Sequence, residues 1–323
     1  MTFFLRGAKE SLGMTMEGNV PYSPPPEFRY SLSLASGLGL ELVAPPRLGA
    51  WISDCARILR LSRCRANGLP RLIYCPNPGG RPWAPEEVGN LALVRKENLP
   101  REGWEGIDQR VVKIWLHSRV RDAVCEVGRI EEPILGVLGM ELSLIPLYRF
   151  VTEAGGFWVH SALLEKDGKG FLLAGPSGTG KSTCCRRLPS DWQALGDDQA
   201  AVIMDRNGRY WVHPFPTWMD YYERRSRKTW DVQRSLPLSA VFLLTKGERD
   251  EVSAVGGGAA AAFLFRRARD KAFPNGVPPH STGHKPGNKI IFENICGLTK
   301  AVPCYRLQAA LEGRFWEEME KVS

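Results

Sequence analysis

Eight consecutive residues, Gly175-Pro176-Ser177-Gly178-Thr179-Gly180-Lys181-Ser182, bring glycines, a lysine and a hydroxyl to a single loop. Backbone amides curl around a phosphate only where side chains stay clear, and the glycines leave that space. Lys181 adds a cation between phosphates, and the hydroxyl of Ser182 suits a magnesium ion bridging them. Thr183 follows in the first turn of a helix whose positive dipole end meets the same anion. The apolar strand Phe171-Leu172-Leu173-Ala174 leads in, so strand, loop and helix come in the required order. The pattern predicts a site for ATP and Mg2+, although these residues do not separate ATP from GTP. A ligand-free glycine turn is the competing reading.

Two further groups stand near enough in sequence to take part. Trp192 to Asp198 reads as a modest strand that delivers adjacent acids, Asp197 and Asp198. In extended backbone only one of the two faces the site, unless the chain turns there. A carboxylate beside the γ-phosphate accepts the proton of an attacking alcohol, while a second holds the metal directly or through water. A solvated Asp-Asp loop end is the alternative. Upstream, Phe157 to Leu164 reads as a single strand turning back at Lys166-Asp167-Gly168-Lys169 into the strand before the loop, because Asp-Gly tolerates positive φ. His160 then lies beside the loop, either reaching the phosphates or serving as a hydrogen-bonded histidine of a half-buried strand.

The elements that must hold these groups in place form a crowd of strands. Ala200 to Met204 and Tyr210 to His213 flank Asn207-Gly208 as a second hairpin, and Val241 to Leu244 is a buried strand. Pro189 ends the helix behind Ser182 within about two turns. Hairpins on both sides of the loop argue for a mixed sheet rather than a doubly wound parallel one. Gly256 to Phe263 bends into a helix carrying Arg266 and Arg267, which either approach the transferred phosphate or sit on a solvated face.

The chain has 323 residues and 43% hydrophobic content, which suits two domains better than one. Residues 1–28, ending in a proline-rich stretch, read as a mobile lead-in. Residues 29–150 read as a smaller N-terminal α+β domain, with a hairpin over Tyr30 to Val43 and a helix over Trp51 to Leu61. Short strands at Leu72 to Tyr74 and Val111 to Trp115 follow, then an apolar helix over Glu132 to Phe150 despite Pro146. Trp51 reads as core, and no function is claimed for Trp83. Residues 151–323 carry the nucleotide-binding domain, so the fold class is α/β (α+β) with a mixed sheet.

No apolar run approaches the roughly 18 residues of a membrane span, and the N-terminus lacks a long signal-like segment. No membrane partner and a cytoplasmic location are expected. The eight cysteines are scattered without a CxxC pair, which fits reduced thiols, with Cys184 and Cys185 as packing residues. A net charge of +8 invites nucleic acid, but the basic residues are spread and no nucleic-acid-binding motif accompanies them. The densest clusters, Arg224 to Lys228 and Arg266 to Arg269, could meet an acidic substrate or be solvated faces. Self-association is left open.

From Gly155 to Asp198, a histidine before the loop, the loop itself and then Asp-Asp resemble the HPr kinase/phosphorylase family and its phosphoenolpyruvate-carboxykinase-like core. The ending Ala301 to Leu307 with Phe315-Trp316, and the opening Tyr30-Ser31-Leu32, are similar to HPr-kinase-related proteins of SynChlorMet-type peptide-maturation cassettes. The resemblance implies an HPr kinase-like fold and transfer of phosphate to a serine. It makes His160 the active-site histidine, Lys181 the phosphate lysine, Ser182 a magnesium ligand and Asp197 the general base, with Asp198 beside it. Ser161 stands where that family usually has glycine, and no Glu-Ile-Arg-Gly-like segment is found, so the reverse phosphorylase reaction is not implied. The N-terminal half shows no likeness to that family, and neither its hexamer nor HPr recognition carries over.

The expected activity is thus an ATP-dependent kinase acting on a serine of a peptide or small protein. A small-molecule kinase or carboxykinase-like enzyme would need a compact arginine pocket. A nucleotide-sensing protein would keep the loop without efficient transfer.

Overall fold

Alternating residues from Tyr30 and the apolar run from Leu40 fold into the expected hairpin, β1 (Phe28–Ser33) and β2 (Gly39–Ala44). The close approach at its turn requires glycine, since a Cβ on Gly39 would stand 2.2 Å from the Leu32 carbonyl oxygen. The computed structural model describes residues 27–322 except 78, 80, 129, 225 and 273–285. Nearly all of the expected lead-in, and Arg225 of the first basic cluster, therefore lie outside the described residues.

The first sheet continues through α1 (Gly49–Ile58), β3 (Ser62–Arg63), β4 (Arg71–Pro76), α2 (Pro85–Val88), α3 (Ala92–Lys96), β5 (Trp104–Asp108), β6 (Val112–His117) and β7 (Ala123–Val127). Its seven strands run in the order β3-β1-β2-β4-β7-β6-β5, with β2, β4 and β7 mutually parallel. Helix α1 stops three residues short of the expected Leu61. Arg60 turns left-handed at φ 52°, Leu61 N–H bonds back to Ala56 O, and Trp230 N–H takes Ile58 O, so a distant segment caps the helix.

The single apolar helix expected over 132–150 is two helices, α4 (Pro133–Ser143) and α5 (Ile145–Glu153). The chain breaks at Leu144, and Pro146, which has no N–H to donate, sits in the first turn of α5. Contrary to the expectation drawn from the sequence, Pro133–Glu153 is together long and apolar enough to cross a membrane by length and composition. Most of that stretch is buried in the fold, with Leu142, Leu147 and Val151 fully covered.

The second sheet is built from β8 (Phe157–Val159), β9 (Ser161–Lys166) and β10 (Lys169–Ala174), then, past α6 (Lys181–Arg187), β11 (Gln193–Gly196), β12 (Gln199–Met204) and β13 (Tyr210–Phe215). After α7 (Met219–Arg224) come β14 (Leu236–Lys246), β15 (Glu251–Ala254), α8 (Gly257–Ala272), α9 (Pro286–Ala301), β16 (Cys304–Ala309) and α10 (Phe315–Glu320). Both turn-coded hairpins form, β9 with β10 around Asp167-Gly168 and β12 with β13 around Asn207-Gly208. The long strand β14 joins two parts: its first residues pair with β13, and the rest lies parallel to both β10 and β16. The fold is mixed α+β with two mixed sheets, as the strand crowding implied.

One strand departs from the reading of the sequence. Phe157 to Leu164 is not continuous: β8 pairs with β12, β9 pairs with β10, and His160 occupies the break. The strand expected over Trp192 to Asp198 likewise ends at Gly196, leaving Asp197 and Asp198 in a bend.

Alternation along β10 covers both faces of the sheet. Leu172 and Ala174 pack with Leu264, Ile295 and Leu298 of α8 and α9, whereas Phe171 and Leu173 pack with Cys184 of α6 and Phe315 of α10. Each such fully buried Leu or Phe contributes about 1.5–3 kcal/mol relative to exposure. A third cluster draws on both halves of the chain, joining Leu42, Ile52 and Tyr74 to Trp158, Phe215 and Trp230. A polar tie reinforces it: Ala35 N–H donates to His213 Nε2 at 3.0 Å, and His213 Nδ1–H donates to Val232 O at 2.9 Å.

Candidate active site

Pairing in the second sheet brings the separated motifs to one edge. Strand β9 is antiparallel to β10 with Ser161 opposite Ala174, so the next residues outward are His160 and Gly175. On the other side of β9, β11 ends with Gly196 opposite Leu163 and delivers Asp197 and Asp198 at the same edge.

The loop between β10 and α6 braces itself. Thr179 Oγ1 donates to Pro176 O at 2.7 Å, and Cys184 N–H donates to Gly180 O as the helix begins. Gly178 and Gly180 have φ of 79° and 104°, the left-handed region that L side chains rarely adopt, and apart from adjoining residues no atom lies within 4 Å of where their Cβ would stand. Lys181 is buried, and its ammonium donates to Gly175 O at 2.8 Å and Pro176 O at 3.2 Å. Pro176, Ser177 and Gly178 are exposed at the loop tip, with Ser182 and Thr183 half-buried behind it.

In the bend after β11 the two acids take different partners. Asp197 Oδ1 accepts from Thr217 Oγ1 at 2.8 Å. Asp198 Oδ1 lies 3.2 Å from His160 Nε2. His160 N–H donates to Arg267 O at 3.2 Å, which fixes the break between β8 and β9 against α8. Behind the bend, Gln199 is buried and its Nε2 donates to the Tyr148 hydroxyl at 3.3 Å. Tyr148 sits edge-on to Trp158 at 4.3 Å between centroids, and Trp158 edge-on to Phe215 at 4.4 Å. This rigid aromatic packing supports the floor of the bend.

Cys184 and Cys185 follow the loop without nucleophilic character. Burial pushes the Cys184 thiol up to about 11 and Cys185 up to about 12, the latter helped by the nearby Asp197 charge.

The structure thus gathers the loop, His160, Asp197 and Asp198 at one sheet edge. Arg267 reaches this edge through its backbone carbonyl. Thr217 was not foreseen; nothing marks it in the sequence, since it lies beyond a hairpin and meets Asp197 only through the fold. Among the described residues, no cluster of three or more His, Cys, Asp or Glu side chains forms a preassembled metal cage. Two cavities, of about 380 and 140 Å³, lie at the first sheet and α5, away from the glycine loop.

The family model of the SynChlorMet cassette protein ScmC matches residues 123–323, from β7 onward. No curated protein matches the chain.

Proposed function

The chain belongs to the SynChlorMet cassette protein ScmC family, and from that premise we propose that it is an ATP-dependent kinase that phosphorylates a serine of a peptide or small protein. The reading rests on one observation above all, the convergence of the glycine loop, His160 and the Asp197-Asp198 bend at the same sheet edge. The likeness to HPr kinases, carried by these same residues, supplies the serine acceptor.

The residues fit the groups such a reaction needs. Open space over Gly178 and Gly180 leaves room for phosphate oxygens against the backbone. The Lys181 ammonium is held by two loop carbonyls and would exchange them for phosphate oxygens. Ser182 and Asp198 offer a hydroxyl and a carboxylate, the hard oxygen donors that Mg2+ prefers with water and phosphate completing its shell. Magnesium, when bound, offsets phosphate charge.

The chain's own residues do the rest. Loop amides and Lys181 position the triphosphate. Asp197 accepts the serine proton on Oδ2, because Oδ1 is engaged by Thr217. His160 orients Asp198, and the packed strands keep the groups in register. Catalysis of this kind is mostly positioning and electrostatic stabilisation, with effective molarities that replace covalent chemistry. The N-terminal part of the chain, residues 29–150, would select the acceptor.

A small-molecule kinase or carboxykinase-like enzyme is the competing reading, and it would need a compact pocket of arginines. Mass spectrometry of serine-containing peptides and small metabolites incubated with magnesium ATP tests the reading. Phosphopeptide formation supports it, and a phosphorylated metabolite without phosphopeptide overturns it.

A further inference from the structure

We propose that the groove between the β6–β7 turn and α5 docks an acidic side chain of the acceptor peptide; this rests on the peptide-kinase reading and names what its acceptor must carry. The smaller cavity, about 140 Å³, is lined by Leu116, Arg119, Arg121, Arg149, Phe150 and Glu153 among others. Its charges do not cancel. Arg149 is paired with Glu153 at 2.6 Å, and Asp122, which also borders the cavity, is paired with Arg71 at 2.8 Å. Arg119 and Arg121 are exposed and make no ion pair among the described residues; Arg121 instead lies 5.1 Å over the Phe150 ring. Two guanidinium charges therefore face a pocket whose own carboxylates are already engaged.

Pocket shape selects the ligand class. A cavity of this size accepts one carboxylate side chain over the apolar floor of Leu116 and Phe150. Nucleic acid fits poorly, since a chain of phosphates would pass Glu153 and Asp122 on either side. The larger cavity, about 380 Å³, borders the same Arg121 and Asp122. There Arg29 and Arg71 are satisfied by Glu41, Glu97 and Asp122, leaving Leu69 and Pro70 to contact flanking peptide. Helix α5, which carries Arg149, Phe150 and Glu153, packs on β8, and β8 runs directly into His160. A peptide anchored here is linked to the active edge through α5 and β8.

The test is fluorescence anisotropy on the full chain with two labelled Gly-Ser peptides, one carrying a Glu-Glu pair and the other Gln-Gln. The Glu peptide should bind more tightly than the Gln peptide. Arg119→Glu with Arg121→Glu should weaken it roughly tenfold or more, while Arg206→Glu with Arg209→Glu, an equal charge change on the β12–β13 turn, should leave it within about twofold. Binding of a fluorescent ATP analogue should be unchanged in both variants, showing that they fold. Equal loss in the two double variants, no preference for the Glu peptide, or groove-dependent binding of a short duplex DNA instead would overturn the proposal. Failure here leaves phosphate transfer intact, whereas failure of the kinase reading abolishes transfer to every peptide.

Discussion

The Thr217 hydroxyl donates to Asp197 Oδ1 at 2.8 Å, tying the bend after β11 to the segment after β13. A carboxylate on a bend between two strands rotates freely without such a tie, and a base out of line costs rate rather than affinity. Thr217→Val should lower kcat about 10- to 100-fold with nucleotide Kd unchanged, and Thr217→Ser should restore most of it. Equal loss in Ser and Val variants, by steady-state kinetics, would assign Thr217 to packing alone.

Lys181 is buried and satisfied by carbonyls of its own loop, a geometry that leaves the ammonium poised for phosphate. A hydrogen bond to a charged group contributes about 1.5–3 kcal/mol, so Lys181→Met should weaken ATP binding roughly 10- to 150-fold. Calorimetric titration reads the affinity directly. The rise in melting temperature with ATP should shrink in parallel, by mass action.

His213 carries a pH dependence of stability. Burial pushes it down to about 4, and its bonds require the neutral form: Nδ1–H donates to Val232 O while the Nε2 lone pair accepts Ala35 N–H. The folded value lies below the unfolded one of about 6.5, so the unfolded chain binds the extra proton between them. Stability from this group is complete above about pH 6.5, falls as pH drops toward about 4 and levels off below, a loss on the order of 3 kcal/mol. Chemical denaturation from pH 4 to 7 should show that slope, and His213→Gln should flatten it.

Local codes made much of the fold legible. Asp167-Gly168 and Asn207-Gly208 announced their hairpins, Pro189 the end of α6, and the strand of hairpins the mixed sheet. What the sequence hid was long-range. Phe157 to Leu164 is an unpunctuated run, and nothing local marks that it changes partner at His160, because the switch is set by β12 and β10 competing for it. Helix α1 ends without glycine, with Arg60 left-handed and Ile58 O accepting from Trp230 N–H. Thr217 follows the same rule. It bears on Asp197 twenty residues upstream, a pairing that only the assembled sheet creates.

The most direct test of the central claim sets Asp197→Asn beside the parent chain, with ATP binding and phosphate transfer to serine peptides measured on the same samples. The account predicts that binding survives within about threefold while transfer falls by 10² or more, because only the proton acceptor is lost. Undiminished transfer by Asp197→Asn would contradict it.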